Sequence, residues 1–115
     1  MSVTVYHNPN CGTSRTVLAM LSEKGIEPKV IEYLVTPLDR AALIALLARL
    51  GIGPRELLRR RGTPYDELDF GNPKWSDEAL VDFIAEHPIL MERPVVVTPK
   101  GAKICRPAEV VSTLI

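Results

Sequence analysis

Apolar and polar positions along this chain change period several times, and each change predicts an element. Residues 3–6, Val-Thr-Val-Tyr, are all β-branched or aromatic and read as a first strand. Val17, Leu18 and Leu21 then recur at helical spacing, behind Thr13 or Ser14 as a cap and ahead of Gly25 as a stop. A second strand is predicted over 29–34, after Glu27-Pro28. Strand, helix and strand in so short a stretch make a βαβ unit, with parallel strands and a right-handed crossover.

Thr36-Pro37-Leu38-Asp39 predicts a further helix, with Pro in its first turn and Asp39 near its positive end. Leu43, Leu46, Leu47 and Leu50 give it one buried face, and Gly51 ends it. Gly53-Pro54 starts a short basic helix expected to run through Arg60, closed by Gly62. Residues 63–75 carry Pro64, Gly71 and Pro73 and predict turns, with one helical turn at 65–68. Ser76 is an N-cap followed by Asp77 and Glu78, and Trp75 with Leu80 has the spacing of a hydrophobic staple, which makes the Trp structural. Leu80, Phe83 and Ile84 form the expected stripe of that helix, and His87-Pro88 ends it, the histidine complementing the negative helix end.

The last third returns to strands. Residues 94–98 and 102–106 flank Pro99-Lys100-Gly101 and predict an antiparallel hairpin, and Pro107 opens a short last helix with Val110, Val111 and Leu114 against the sheet. The sum is an α/β chain: β-α-β, a helical insertion at about 37–88, then β-β-α, which is a thioredoxin-like mixed four-stranded sheet in one domain over 1–115.

Composition narrows the function classes. At 115 residues the chain supports one core, and 46% hydrophobic with 24% charged residues is ordinary for a globular protein. No apolar run is long enough to span a bilayer and no secretory leader is recognisable, so the expected location is cytoplasmic, with no membrane partner. Net charge is zero but uneven: residues 53–61 sum to +3 and residues 62–86 to −6. That pattern leaves no uniformly basic face for nucleic acid, although a small basic pocket for an anion fits it. Two cysteines and two histidines without paired spacing predict neither a disulfide framework nor a metal site.

The chemistry concentrates at His7-Asn-Pro-Asn-Cys11-Gly-Thr-Ser-Arg15. Cys11 falls in a strand-to-helix loop, where the unpaired amides and positive pole of the helix favour a thiolate. His7 adds a possible cation and Arg15 a permanent one. Only the thiolate attacks, and a fall of about 2 units from the usual pKa of about 8.5 makes it the majority form at pH 7. Cys11 is therefore expected to be a nucleophile and not merely a small buried apolar residue. Cys105, by contrast, reads as a strand residue of the sheet.

The Cys11 segment, together with Glu56-Leu-Leu-Arg59, His87-Pro-Ile-Leu, Glu92-Arg93-Pro94-Val-Val-Val-Thr-Pro and Cys105-Arg106-Pro107, resembles the glutaredoxin-coupled arsenate reductases, collinearly over nearly the whole chain. The resemblance implies reduction of arsenate to arsenite through a Cys11 thiolate–arsenic adduct, with glutathione as co-substrate, glutaredoxin as partner and no bound cofactor. It implies Cys11 as the nucleophile with His7 beside it, Arg59, Arg93 and Arg106 as oxyanion ligands, and Ser14 and Arg15 as groups that hold the thiolate. It also makes Pro94 the proline that is cis in thioredoxin-like folds and faces the active cysteine. Ser14 stands where a dithiol enzyme has its resolving cysteine, so no essential internal disulfide is expected and reductant must come from outside.

Two rival readings share the fold. One is a monothiol, glutathione-dependent thiol reductase, suggested by Cys11-Gly-Thr-Ser14, which leaves the three matching arginines without a purpose. The other is a thioredoxin-fold regulatory protein that binds RNA polymerase, whose usual Cys-x-x-Cys switch is lacking here. A phosphatase-like arsenate reductase needs five residues between Cys and Arg, and only three separate Cys11 from Arg15.

Overall fold

In a computed structural model, which describes residues 2–115, four strands form one mixed sheet in the order β2-β1-β3-β4. β1 (Thr4–His7) pairs parallel with β2 (Lys29–Glu32), with Thr4 opposite Lys29 and His7 opposite Glu32. β3 (Val95–Thr98) runs antiparallel to β1, and β4 (Gly101–Ile104) antiparallel to β3. This is the expected mixed sheet, with strands two and four ending short of the predicted limits. Helix α1 (Gly12–Glu23) links β1 to β2, and Gly25 at φ 70° closes it, in the left-handed conformation that a Cβ disfavours.

The chain forms two units. One runs up to Thr36 and resumes over Arg93–Ile115; the other is Pro37–Glu92. The first contains the whole sheet. Val3, Val5 and Val96 from the strand side, Val17 and Leu21 from α1, and Cys105, Val111 and Leu114 build its core. The closing helix is a 3₁₀ segment, Ala108–Thr113, where a short helix was expected, and it packs on α1. Arg93–Pro94 is cis, as the resemblance implies, and so is Arg106–Pro107, which nothing in the sequence distinguished from trans.

The second unit is helical. Asp39 is the N-cap of α2 (Arg40–Leu50), its carboxylate accepting from the Ala42 N–H at 2.8 Å, so Pro37 precedes the helix and is not in its first turn. Leu43, Leu46 and Leu47 are buried on α2, and Leu80, Val81 and Ile84 on α4 (Asp77–Glu86), which packs against it. Ser76 caps α4 as expected. α3 is only Pro54–Leu57 and stops before Arg59, because Leu58 and Met91 form a β-bridge that extends the backbone there. The helical turn expected at 65–68 is a run of turns with Asp69 at φ 56°. Phe83 is half-buried, stacked on Phe70 at 4.6 Å and meeting Trp75 edge-on at 4.9 Å. Trp75 also donates its indole N–H to the Asp69 carbonyl at 2.7 Å, consistent with a structural Trp. No helix among the described residues is long and apolar enough to cross a membrane.

Candidate active site

The site begins where β1 ends. After His7 the chain turns through Asn8, Pro9 and Asn10; the Cys11 N–H donates to the Asn8 carbonyl at 3.0 Å, and the Asn8 side chain accepts from the Asn10 N–H at 2.9 Å. That tight turn delivers Cys11 in extended conformation as the N-cap residue of α1, with no side-chain cap bond. Thr13 and Ser14, the expected caps, instead lie within the first turn. Cys11 replaces them because the extended turn enters the helix two residues early, and the Arg15 N–H closes the first helical bond on the Cys11 carbonyl at 3.1 Å.

Around the Cys11 sulfur the donors converge. Arg106 Nη1 lies 3.6 Å from Sγ and donates to the Arg93 carbonyl at 3.2 Å. Burial pushes the Cys11 thiol up, but hydrogen bonds from the Ser14 amide, Arg93, the Ser14 hydroxyl and Arg106 outweigh it and bring the thiol down to about 7. Roughly half of it is then ionised at neutral pH. Ser14 is fully buried, and its Oγ also accepts from the Asn8 N–H at 3.4 Å, tying helix to loop.

The remaining sequence candidates lie as follows. His7 is buried at the end of β1 with Nδ1 lacking a hydrogen-bond partner. Burial lowers its pKa, Glu32 raises it and Arg15 lowers it, with the net downward, so the possible cation at His7 is disfavoured. Arg15 is exposed and donates Nη1 to the Pro9 carbonyl at 2.8 Å; the groups that lower the Cys11 thiol are Ser14, Arg93 and Arg106, and Arg15 braces the loop that carries it. Arg59 belongs to the second unit. There its Nη1 donates to Glu92 Oε1 at 2.8 Å and its Nε to the Arg61 carbonyl at 3.0 Å, and its N–H pairs with the Leu90 carbonyl beside the Leu58–Met91 bridge. Cys105 is fully buried, and burial pushes its thiol up to about 11 despite Lys103.

Two residues near the sulfur were not among the sequence candidates. Asn8 and Tyr33 are both buried, and the Tyr33 hydroxyl hydrogen-bonds the Asn8 and Arg93 side chains. The available signal was the parallel pairing of the first two strands. Ligands of such sheets gather at the strands' carboxyl ends, where Tyr33 follows β2 just as Asn8 follows β1.

A buried, half-ionised thiol beside two guanidinium groups suits nucleophilic attack on an anionic centre. The comparisons with known proteins agree in direction. The family model described as "ArsC family" matches residues 6–114. The arsenate reductase of Rhizobium meliloti (strain 1021) is 55% identical over 111 residues, spanning 96% of this chain and 79% of that protein. That of Escherichia coli (strain K12) is 51% identical over 110 residues, spanning 96% and 78%. The solved structure of arsenate reductase from Vibrio cholerae superposes with a TM-score of 0.95 at 43% identity, covering 100% of this chain and 98% of its own.

Proposed function

The chain belongs to the ArsC family, and from that premise we propose that it is an arsenate reductase in which Cys11 is the nucleophile, with glutathione and glutaredoxin as reductants. The observation that carries this reading is the Cys11 thiol at about 7 with Arg106 Nη1 at 3.6 Å from its sulfur.

Arsenate at neutral pH is a mono- to dianion of phosphate-like shape, which guanidinium forks bind in bidentate fashion. Arg93 and Arg106, already gathered at the thiol, hold two of its edges, and Arg59 supplies the third guanidinium on the strength of its Glu56-Leu-Leu-Arg59 motif. The same positive charge that binds the substrate keeps the sulfur ionised. The thiolate attacks arsenic, an S–As bond forms, and one arsenate oxygen leaves as water. Glutathione then attacks arsenic, a second oxygen leaves as water and a Cys11–S–As–S-glutathione adduct forms. The glutaredoxin thiolate attacks the glutathione sulfur, leaving the electron pair of the As–S bond on arsenic, and water cleaves the Cys11–As bond to release arsenite and return the thiol. Two electrons reduce arsenic, and two thiols outside the chain become a disulfide. Cys105 supplies none of them, since its thiol lies wholly inside the core at about 11. Neutral His7 leaves the local charge to the arginines, and Arg15 and Ser14 keep the loop and the sulfur in register.

The test is arsenate-dependent NADPH consumption with glutathione, glutathione reductase and glutaredoxin. Wild-type protein turns over and Cys11→Ser does not. Turnover retained in Cys11→Ser removes the nucleophile assignment, and none in wild type removes the function.

A further inference from the structure

Tyr33 is the first residue after β2 and is wholly buried, yet no step above uses it. The β1–β2 register ends with His7 opposite Glu32, which brings Tyr33 level with Asn8, the residue that opens the Cys11 loop. A phenylalanine would fill the same volume without burying a hydroxyl, and a hydroxyl withdrawn from water costs stability unless it has partners. Tyr33 has two: its hydroxyl hydrogen-bonds Asn8 and Arg93, and its phenol feels the charge of Cys11. Asn8 is itself fixed, through its side chain to the Asn10 N–H and through its own N–H to Ser14 Oγ.

Resting on the reading of Cys11 and Arg93 above, we propose that Tyr33 is a positioning residue: its hydroxyl pins the Arg93 guanidinium against the Cys11 sulfur before substrate arrives. Arginine has only donors, so the phenol oxygen accepts from it. A long side chain with many rotamers is thereby ordered in advance, and substrate binding is spared that entropy. The raised pKa of Tyr33, set chiefly by burial against the lowering pull of Arg93 and Asn8, keeps the phenol neutral through the working pH range. It therefore adds no charge to a sulfur whose other facing groups are Ser14, Arg93 and Arg106.

The experiment is Tyr33→Phe, read two ways. The pH dependence of Cys11 alkylation by iodoacetamide, located by peptide mass, should move its midpoint alkaline from about 7, because a loosened Arg93 stabilises the thiolate less. The KM for arsenate should rise about three- to tenfold, as for one lost hydrogen bond of ordinary strength, with a thermal midpoint close to wild type. Asn8→Ser, which leaves the phenol but shortens its other partner, should shift the alkylation midpoint the same way by less. An alkylation midpoint unchanged in Tyr33→Phe overturns the proposal, whatever the turnover. Because alkylation needs no arsenate, a shifted midpoint in a protein that fails to reduce arsenate upholds the Tyr33 assignment and rejects the reductase reading alone.

Discussion

Cys11 and Cys105 are the same side chain in the same unit, both withdrawn from solvent, with 9% and 0% exposure. One thiol stands at about 7 and the other at about 11. Burial raises both. What separates them is the company each keeps: Cys105 lies just past β4, where its Sγ faces the Lys103 carbonyl at 3.8 Å, an acceptor that suits a protonated thiol. Cys11 sits at a helix start where amide, hydroxyl and guanidinium groups all donate toward it. The donors around Cys11 outweigh the burial that goes unopposed by any donor at Cys105.

The largest expected contrast is in catalysis. Cys11→Ser should abolish arsenate turnover, whereas Cys105→Val, a swap of similar volume, should retain it within about twofold and cost under about 1.5 kcal/mol of stability. Turnover lost in a folded Cys105→Val would mean that the second thiol takes part, and the comparison would break. Next comes labelling of the native protein: iodoacetamide should modify Cys11 with a midpoint at about pH 7. Cys105 should stay unlabelled at that pH until the protein is denatured.

Removing the donors should make Cys11 behave more like Cys105. Arg93→Ala and Arg106→Ala should each weaken arsenate binding by about 1–3 kcal/mol and move the Cys11 labelling midpoint alkaline. Arg106, being solvent-exposed, belongs at the low end of that range. Arg59→Ala should raise the KM for arsenate without moving the Cys11 midpoint, since Arg59 is not among the groups that lower that thiol. If all three leave KM and kcat unchanged, the anion pocket is wrong.

The contrast also marks how far sequence carries. Periodicity located the strands of the sheet, the cap Ser76 placed α4 and the stop Gly51 ended α2, because those signals are local, whereas Asp39 proved to cap α2 and not to lie within its first turn. The position of Cys11 was legible for the same reason: a thiol between a β-branched run and a helical period must lie near a helix start. Misreadings came where distant backbone decides. α3 ends early because Leu58 pairs with Met91, and the last helix is 3₁₀. The neutral state of His7 depends on burial that no spacing encodes, and Tyr33 looked like one more strand residue until strand register put it beside Asn8.

The smallest effect, and the one that isolates the thiolate from catalysis, is on folding. The folded Cys11 pKa is depressed to about 7, below an unfolded thiol's value of about 8.5. Its contribution is therefore fully present above the unfolded value and lost as pH falls through about 7. Urea midpoints measured at pH 6 and pH 9 should show wild type gaining about 1–2 kcal/mol relative to Cys11→Ser across that interval. Cys105→Val should steepen the gain over that interval by about 0.8 kcal/mol, because a thiol pushed up to about 11 stays protonated in the folded chain while the unfolded thiol ionises near about 8.5. His7 acts at the acid end of the interval: its folded pKa is lowered, so it destabilises as pH falls through and below the usual imidazole value of about 6.5, but equally in wild type and variant, and it cancels in the comparison. Parallel pH slopes for wild type and Cys11→Ser would mean that the donors around the sulfur do not select the thiolate, and that the two cysteines differ in position only.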